Sequence, residues 1–353
     1  MEQLPMKESL PDRAERVRLD MGSRGKYRGF AIFLICCGLL LAAFAVSSVW
    51  MQGESFLPSG DGFSSGETTN ETDSTPTSGE EDPVSDPSLA PVPEGATLIV
   101  SKDLSYLSLG RDYLHNETAY RPNVEELLDF DVSAKKASTS PTVLIIHTHT
   151  GESYLPKGTE YVCEPIGDLT YSRAEAEGVL AVGETLRRVL NEKGITAIHC
   201  TVMHDDPTLS GSYARSAETV RRYLEEYPEI EYVIDLHRDA VTAADGSYVR
   251  AVTENGDLPL AQVMAVVGSD GNGTVHDGWQ GNLALALQLR EKLNATCPSL
   301  CRPVSLRNAS FYQELAKHSL LLEIGTCANS LDEAKRAAVL VGEALAELLL
   351  GTA

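Results

Sequence analysis

VLIIHTHTGESY (Val143–Tyr154) and YVIDLHRDA (Tyr232–Ala240) decide how this 353-residue chain is to be read. In each, a short apolar, β-branched run stops at a histidine. A third segment, LLLEIGT (Leu320–Thr326), carries Glu323 inside an otherwise apolar run. Open α/β sheets present their sites where strands end, at the carboxyl edge. Two strand-end histidines and a late glutamate therefore point to a zinc hydrolase.

The surrounding pattern alternates strand and helix. Strands are expected at Thr142–Ile146, Thr196–Met203, Tyr232–Leu236, Val249–Thr253, Gln262–Val267 and Leu320–Ile324. Helices are expected at Ala174–Lys193, with Val179, Val182, Leu186, Val189 and Leu190 on one face and Gly194 as its stop. Further helices are expected at Tyr213–Tyr227, ended by Pro228, and at Trp279–Leu293. Ser330–Glu333 (S-L-D-E) is a capping box opening a last helix to about Leu350. This order predicts one α/β domain, a twisted and largely parallel sheet flanked by helices. Residues 96–140 either pack against that domain or lead into it.

Toward the N-terminus the composition changes. Phe30–Trp50 holds no charge, and at ~1.5 Å per residue it is long enough for a ~30 Å bilayer core. Arg24, Lys26 and Arg28 precede it, and no Lys or Arg follows until Lys102. The positive-inside rule then makes 1–28 a cytoplasmic tail, 29–51 a single-pass membrane anchor and the rest extracytoplasmic. The apolar run is long for a cleaved signal, although Ala43-Phe44-Ala45 resembles a cleavage site. Residues 52–95 hold ten acids and no Lys or Arg among Ser, Thr, Gly and Pro. Such a segment lacks the apolar surface to fold, and as a coil it spans roughly 35–40 Å. It reads as an acidic disordered linker to an exported domain, 96–353.

The net charge of −22 divides as +2 for the tail, −10 for the linker and −14 for residues 96–353. With no basic stripe, nucleic acid is excluded as a partner. Cys36 and Cys37 lie in the anchor, and five cysteines follow, without a CxxC pair. A thiolate zinc cluster is thus ruled out, while Cys297 and Cys301 either bridge a small loop or stand as independent thiols. No P-loop, dinucleotide fingerprint or HExxH motif occurs, and neither Ser153 nor Ser172 lies in G-x-S-x-G.

The chemistry then falls on a few side chains. Strand alternation puts His147 and His149 on one face beside Glu152, one to bind metal and the other to orient it or meet substrate. His237 is a natural ligand, with Asp235 or Asp239 to fix its tautomer. A carboxylate inside LLLEIG is costly to bury, and burial raises its pKa, which suits Glu323 to act as general base. The competing role for Glu323 is an ion pair with Arg307 or Arg250. His199, His204 and His276 read as structural or substrate-facing.

Taken together, IIHTHTGESY, HDDPTLSGSYARS, YVIDLHRDA, GWQGNLALALQL and SLLLEIGTCANSLDEA, in this order and spacing, resemble the stage II sporulation protein P family. The resemblance covers roughly residues 96–350. It implies a peptidoglycan hydrolase of endospore-forming bacteria that thins the septal wall during engulfment, on the mother-cell side. It implies a catalytic domain similar to zinc-dependent N-acetylmuramoyl-L-alanine amidases, with stem-peptide endopeptidase activity as well. It also implies Zn2+ as cofactor and stage II sporulation proteins D and M as partners. Carried over by residue, it makes His237 and His149 zinc ligands, with His147 the alternative to His149. Glu177, or else Glu175, is the third ligand, at the opening of the helix after the first strand, and Glu323 is the base. His147, Glu152 and Arg238 would stabilise the oxyanion or place the muropeptide, and Arg215 and Asp205 would shape the site. Two positions depart from the family pattern: Gly151, where Ser or Thr is usual, and Glu177-Gly178, where Asp-Asn is common. A rival class is a membrane-tethered wall-binding or scaffold protein that recruits a separate glycan-cleaving enzyme.

Overall fold

The computed structural model describes residues 92–105, 113–134, 140–255 and 258–351, all within one compact unit, Ser85–Ala353. The tail, the anchor and nearly all of the linker lie outside the described residues. Among the described residues no helix is long and apolar enough to cross a membrane.

The chain opens with β1 (Thr97–Lys102), β2 (Leu114–Asn116) and α1 (Val124–Leu128). Then come β3 (Val143–Ile146), β4 (Tyr161–Val162), α2 (Ile166–Leu169), α3 (Gly178–Glu192), β5 (Ala197–His199), α4 (Ser212–Glu226) and β6 (Tyr232–Asp239). The remainder is β7 (Tyr248–Asn255), β8 (Leu258–Ala261), β9 (Val263–Gly268), α5 (Trp279–Thr296), β10 (Val304–Arg307), β11 (His318–Thr326) and α6 (Leu331–Leu350).

Seven strands form the main sheet in the order β2-β10-β9-β11-β6-β3-β5. Every neighbouring pair is parallel except β9 and β11, so the expected largely parallel sheet forms. A second sheet, β4-β1-β7-β8, is not foreseen in the sequence, because its strands are short or isolated from any helix. The described parts of the 96–140 stretch belong to the fold: β1 pairs with β7 and β4, and β2 extends the main sheet beside β10.

Alternation along the central strands separates two cores. Val143 and Ile145 of β3, Ile234 and Leu236 of β6, and Leu320, Leu322 and Ile324 of β11 face a large apolar cluster with α3, α5 and α6. Leu144, Ile146 and Val233 face the opposite way, against Ala217 and Val220 of α4 and against Tyr312. The same alternation puts Asp235, His237 and Glu323 on this second side. There a small cluster of Met264, Val266 and Leu321, with Phe311 packed on them, lies next to Glu323.

The helices form where periodicity places them. Val179, Val182, Leu186, Val189 and Leu190 are buried along α3. At the start of α6 the Glu333 carboxylate accepts the Ser330 N–H at 3.2 Å, which closes the reciprocal side of the capping box. The largest shift is at the start of α3, which begins at Gly178 rather than Ala174. Gly178 has φ 59°, and a Cβ there would stand 2.2 Å from the Glu152 carbonyl oxygen. Only glycine allows the helix to begin that close to the Glu152 segment.

Candidate metal centre

β3 leaves the ladder after Ile146, and His147–Thr150 is a loop and turn. The expected shared face of His147 and His149 therefore does not form, because alternation holds only while a strand stays in its ladder. His147 continues the β3 pattern and tucks against α3, where a Cβ on Gly183 would lie 2.7 Å from its Nε2. Its Nδ1 meets the Leu236 carbonyl at 2.8 Å and its Nε2 meets His199 Nε2 at 2.8 Å. It is fully buried, and burial, then the neighbouring His199, holds its imidazole down at about 3. The reading of His147 as substrate-facing is corrected on this geometry: it locks the end of β3 to β5 and β6.

The turn carries His149 to the other side of the sheet. It is fixed by Thr150 Oγ1 donating to the His147 carbonyl at 2.8 Å, and by Asp205 Oδ2 accepting the Gly151 N–H at 2.9 Å. The Tyr171 ring packs directly over Gly151, where a Cβ would stand 2.1 Å from it and displace that exposed side chain. Arg215 shapes the facing loop through the carbonyls of His204, Ser210 and Thr208.

His149, Glu152 and His237 converge so that one donor atom of each lies within 4.8 Å of the others. Glu152 is central: its Oε1 is 3.4 Å from His149 Nδ1 and its Oε2 is 3.4 Å from His237 Nδ1. The rings of His149 and His237 stand edge to face, with centroids 5.0 Å apart. Glu177 does not join this group. It is exposed at the N-cap of α3, and its Oε2 accepts the Ser172 hydroxyl at 2.6 Å. The helix start supports the third donor through its backbone instead: the Val179 N–H donates to the Glu152 carbonyl at 2.9 Å.

Arg238 holds Glu152 rather than facing the open side. Its main-chain N–H donates to Glu152 Oε2 at 3.1 Å, its guanidinium lies 3.7 Å from Oε1, and its Nε donates to the Ser153 carbonyl at 3.1 Å. Behind His237, Asp235 Oδ1 lies 3.0 Å from Nε2. That contact is electrostatic rather than well directed, for Nε2 has no correctly angled hydrogen-bond partner among the described residues. Asp235 also accepts the Thr148 N–H at 2.8 Å, the Thr148 hydroxyl at 2.7 Å and the Tyr312 hydroxyl at 2.6 Å.

Glu323 is in register with His237 across β6 and β11, and so on the same face. A bulge follows it, made possible by Gly325 at φ 76°. Its ion-pair alternatives are taken elsewhere: Arg250 binds Glu333 at 2.5 Å and Arg307 lies 3.4 Å from Glu117. Glu323 Oε2 is buried without a hydrogen-bond partner among the described residues. Burial, and then the Asp239 charge, push its carboxyl up to about 8.

The donor set fits a divalent cation. Burial opposes charge on His237, yet Asp235 and Glu152 override it and hold the imidazolium well above its ordinary range. A buried position that so favours a proton between two carboxylates favours a cation too. Two imidazoles and one carboxylate, with a carboxylate oxygen nearby that has no partner among the described residues, are donor types compatible with a zinc ion.

A family model, stage II sporulation protein P (SpoIIP), matches residues 54–346. The chain belongs to the stage II sporulation protein P family. A curated stage II sporulation protein P from Bacillus subtilis (strain 168) is 28% identical over 219 residues, 58% of this chain and 50% of that protein. The chain thus spans about half the length of the curated family member it matches. Among solved structures, the apo form of the N-acetylmuramyl-L-alanine amidase Ami1 from Mycobacterium abscessus is similar at 16% identity, TM-score 0.34, covering 60% of this chain and 97% of that one. The catalytic domain of CwlV, an N-acetylmuramoyl-L-alanine amidase from Bacillus (Paenibacillus) polymyxa var. colistinus, is similar at 12% identity, TM-score 0.35, covering 58% and 97%.

One residue at this centre is not singled out in the sequence, although it lies within HDDPTLSGSYARS. Tyr213, on α4, stands edge-on to the His149 ring with centroids 5.6 Å apart. Burial, then the charges of Asp235, Glu323 and Glu152, hold its phenol above the ordinary range, so it stays a donor. Only its place opposite the turn, which needs the fold, marks it.

Proposed function

We propose that this chain is a zinc-dependent peptidoglycan hydrolase, an N-acetylmuramoyl-L-alanine amidase with stem-peptide endopeptidase activity, acting on septal wall during engulfment. The observation that carries this is the His149–Glu152–His237 donor group beside the orphaned carboxylate of Glu323. Family membership supports the substrate and the setting.

His149, Glu152 and His237 would hold the ion. When bound, zinc supplies a Lewis acid that polarises a carbonyl and lowers the pKa of water toward ~7. Glu323 takes the proton of the attacking water and delivers it to the leaving amine nitrogen, so the lactyl–L-alanine amide opens to an acid and an amine. The Tyr213 hydroxyl, which makes no hydrogen bond among the described residues, donates to the oxygen that gains negative charge. Arg238 keeps Glu152 aimed. The N-terminal anchor holds the enzyme at the cell membrane, tail inside and catalytic domain outside, and the linker gives it reach into the wall. Stage II sporulation proteins D and M are the partners that family membership suggests.

The test is zinc content and muropeptide release from purified sacculi by the full-length chain. Wild type should carry about one zinc, the stoichiometry of such a catalytic site. Glu323→Gln should keep the zinc and lose turnover by roughly 10²–10⁴-fold, the usual contribution of a general base. Tyr213→Phe should keep zinc and slow turnover by about 10²-fold, as for a lost oxyanion donor. Undiminished wall cleavage by Glu323→Gln would remove it from the chemistry.

A further inference from the structure

Phe311 and Tyr312 are consecutive residues in the left-handed region, at φ 50° and 47°. Side chains with a Cβ rarely occupy it, and a run of two needs surroundings that enforce it. Those surroundings are present. Next in the chain, Gln313 accepts the Gly268 N–H at 2.7 Å, donates to the Val266 carbonyl at 2.9 Å, and donates its own N–H to the Ser310 carbonyl at 3.0 Å. The corner is thereby pinned to the end of β9.

What the corner delivers is the Tyr312 hydroxyl. It donates to Asp235 Oδ2 at 2.6 Å and lies 2.8 Å from Thr148 Oγ1. Asp235 has no other hydrogen-bond donors than Thr148 and Tyr312 among the described residues. Thr148 belongs to the turn that carries His149, and Tyr312 precedes β11, which carries Glu323. Asp235 therefore joins three segments at one carboxylate, and its Oδ1, which accepts the Thr148 N–H, also faces His237 Nε2 at 3.0 Å. A well-angled bond from that nitrogen is missing, so the ring's setting depends on how firmly Asp235 itself is held.

We propose that Tyr312 is a positioning residue for the metal centre: its hydroxyl fixes Asp235, and Asp235 fixes the His237 ring with Nδ1 toward Glu152. The left-handed corner is the backbone arrangement that lets one tyrosine reach from the β10–β11 connection into the site. This rests on the reading of His149, Glu152 and His237 as metal ligands. Outer partners of a ligating histidine commonly change metal affinity 10–100-fold.

The experiment is zinc affinity of the full-length chain, by competition with a chromogenic chelator, for wild type, Tyr312→Phe, Asp235→Asn and the double variant. Phenylalanine keeps the ring that packs with Leu144, Ile146 and Val220. Tyr312→Phe should bind zinc roughly 10–100-fold more weakly. In the Asp235→Asn background the same change should add nothing, since the two act through one contact. Unchanged zinc affinity with a lowered thermal midpoint would assign Tyr312 to packing alone and overturn the proposal. So would an equal loss in both backgrounds. A wild-type chain that binds no zinc defeats the ligand reading and this proposal with it; zinc binding indifferent to Tyr312 defeats this proposal alone.

Discussion

Glu152 and Glu323 are both buried carboxylates with opposite electrostatic fates. Burial alone would raise the pKa of each. At Glu152 the contacts of His149 and His237, then the charges of His237 and Arg238, outweigh burial and hold the carboxyl below the usual range. At Glu323 burial and Asp239 prevail, giving about 8. The signs for stability follow. Glu323 has a folded value above its ordinary 4.5, so its contribution is fully present below pH 4.5 and is lost as pH rises through 8. His237, also raised, acts in the same sense above 6.5. Asp235, at about 2 against 3.8, has a contribution present above pH 3.8 and lost as pH falls through 2; the charge of His237 there overcomes the effect of burial. Thermal melts of the chelator-treated chain should show the midpoint falling from pH 5 to 9, and falling less in Glu323→Gln. An identical alkaline slope in the two chains would contradict this.

Among the elements, the junction of the β3 turn with α3 controls the centre most directly. The Val179 N–H holds the Glu152 carbonyl, and Gly178 leaves room for that contact. Gly178→Ala places a methyl where the carbonyl oxygen stands and imposes φ 59° on a residue that resists it. The expected result is a loss of about 1–3 kcal/mol in stability and about tenfold in zinc affinity, through displaced Glu152. Denaturant unfolding and zinc titration check the two separately, and wild-type affinity would mean that Glu152 is placed by Arg238 alone. The helix itself was legible: its buried face, its stop at Gly194 and the capping of α6 are all set by neighbours within a turn or two. Its first turn was not, because what ends it is a carbonyl from another segment.

For the whole molecule, the distribution of charge and apolar sequence sets the predicted topology: a basic, short tail, an uncharged 29–51 stretch, an acidic linker and an acidic folded unit. The full-length chain should stay in the membrane fraction through alkaline carbonate extraction, and deletion of residues 29–51 should release it. Release of the full-length chain would discard the anchor. Within the folded unit, the sequence by itself determined the α/β alternation, the end of β3 before His147, the strand that carries His237 (although β6 runs on to Asp239 and does not end at Leu236), and the odd carboxylate at Glu323. Each is a local statement: periodicity, capping and the cost of a charge in an apolar run act along the chain. Only the tertiary structure decided that Glu152 and not Glu177 completes the donor group, that His147 faces away, and that Tyr312 reaches Asp235. Those outcomes depend on where β3 leaves its ladder, on how close a helix start comes to a turn, and on a corner bringing residues distant in sequence to one carboxylate. Such contacts form across the sheet, and no spacing along the chain encodes them.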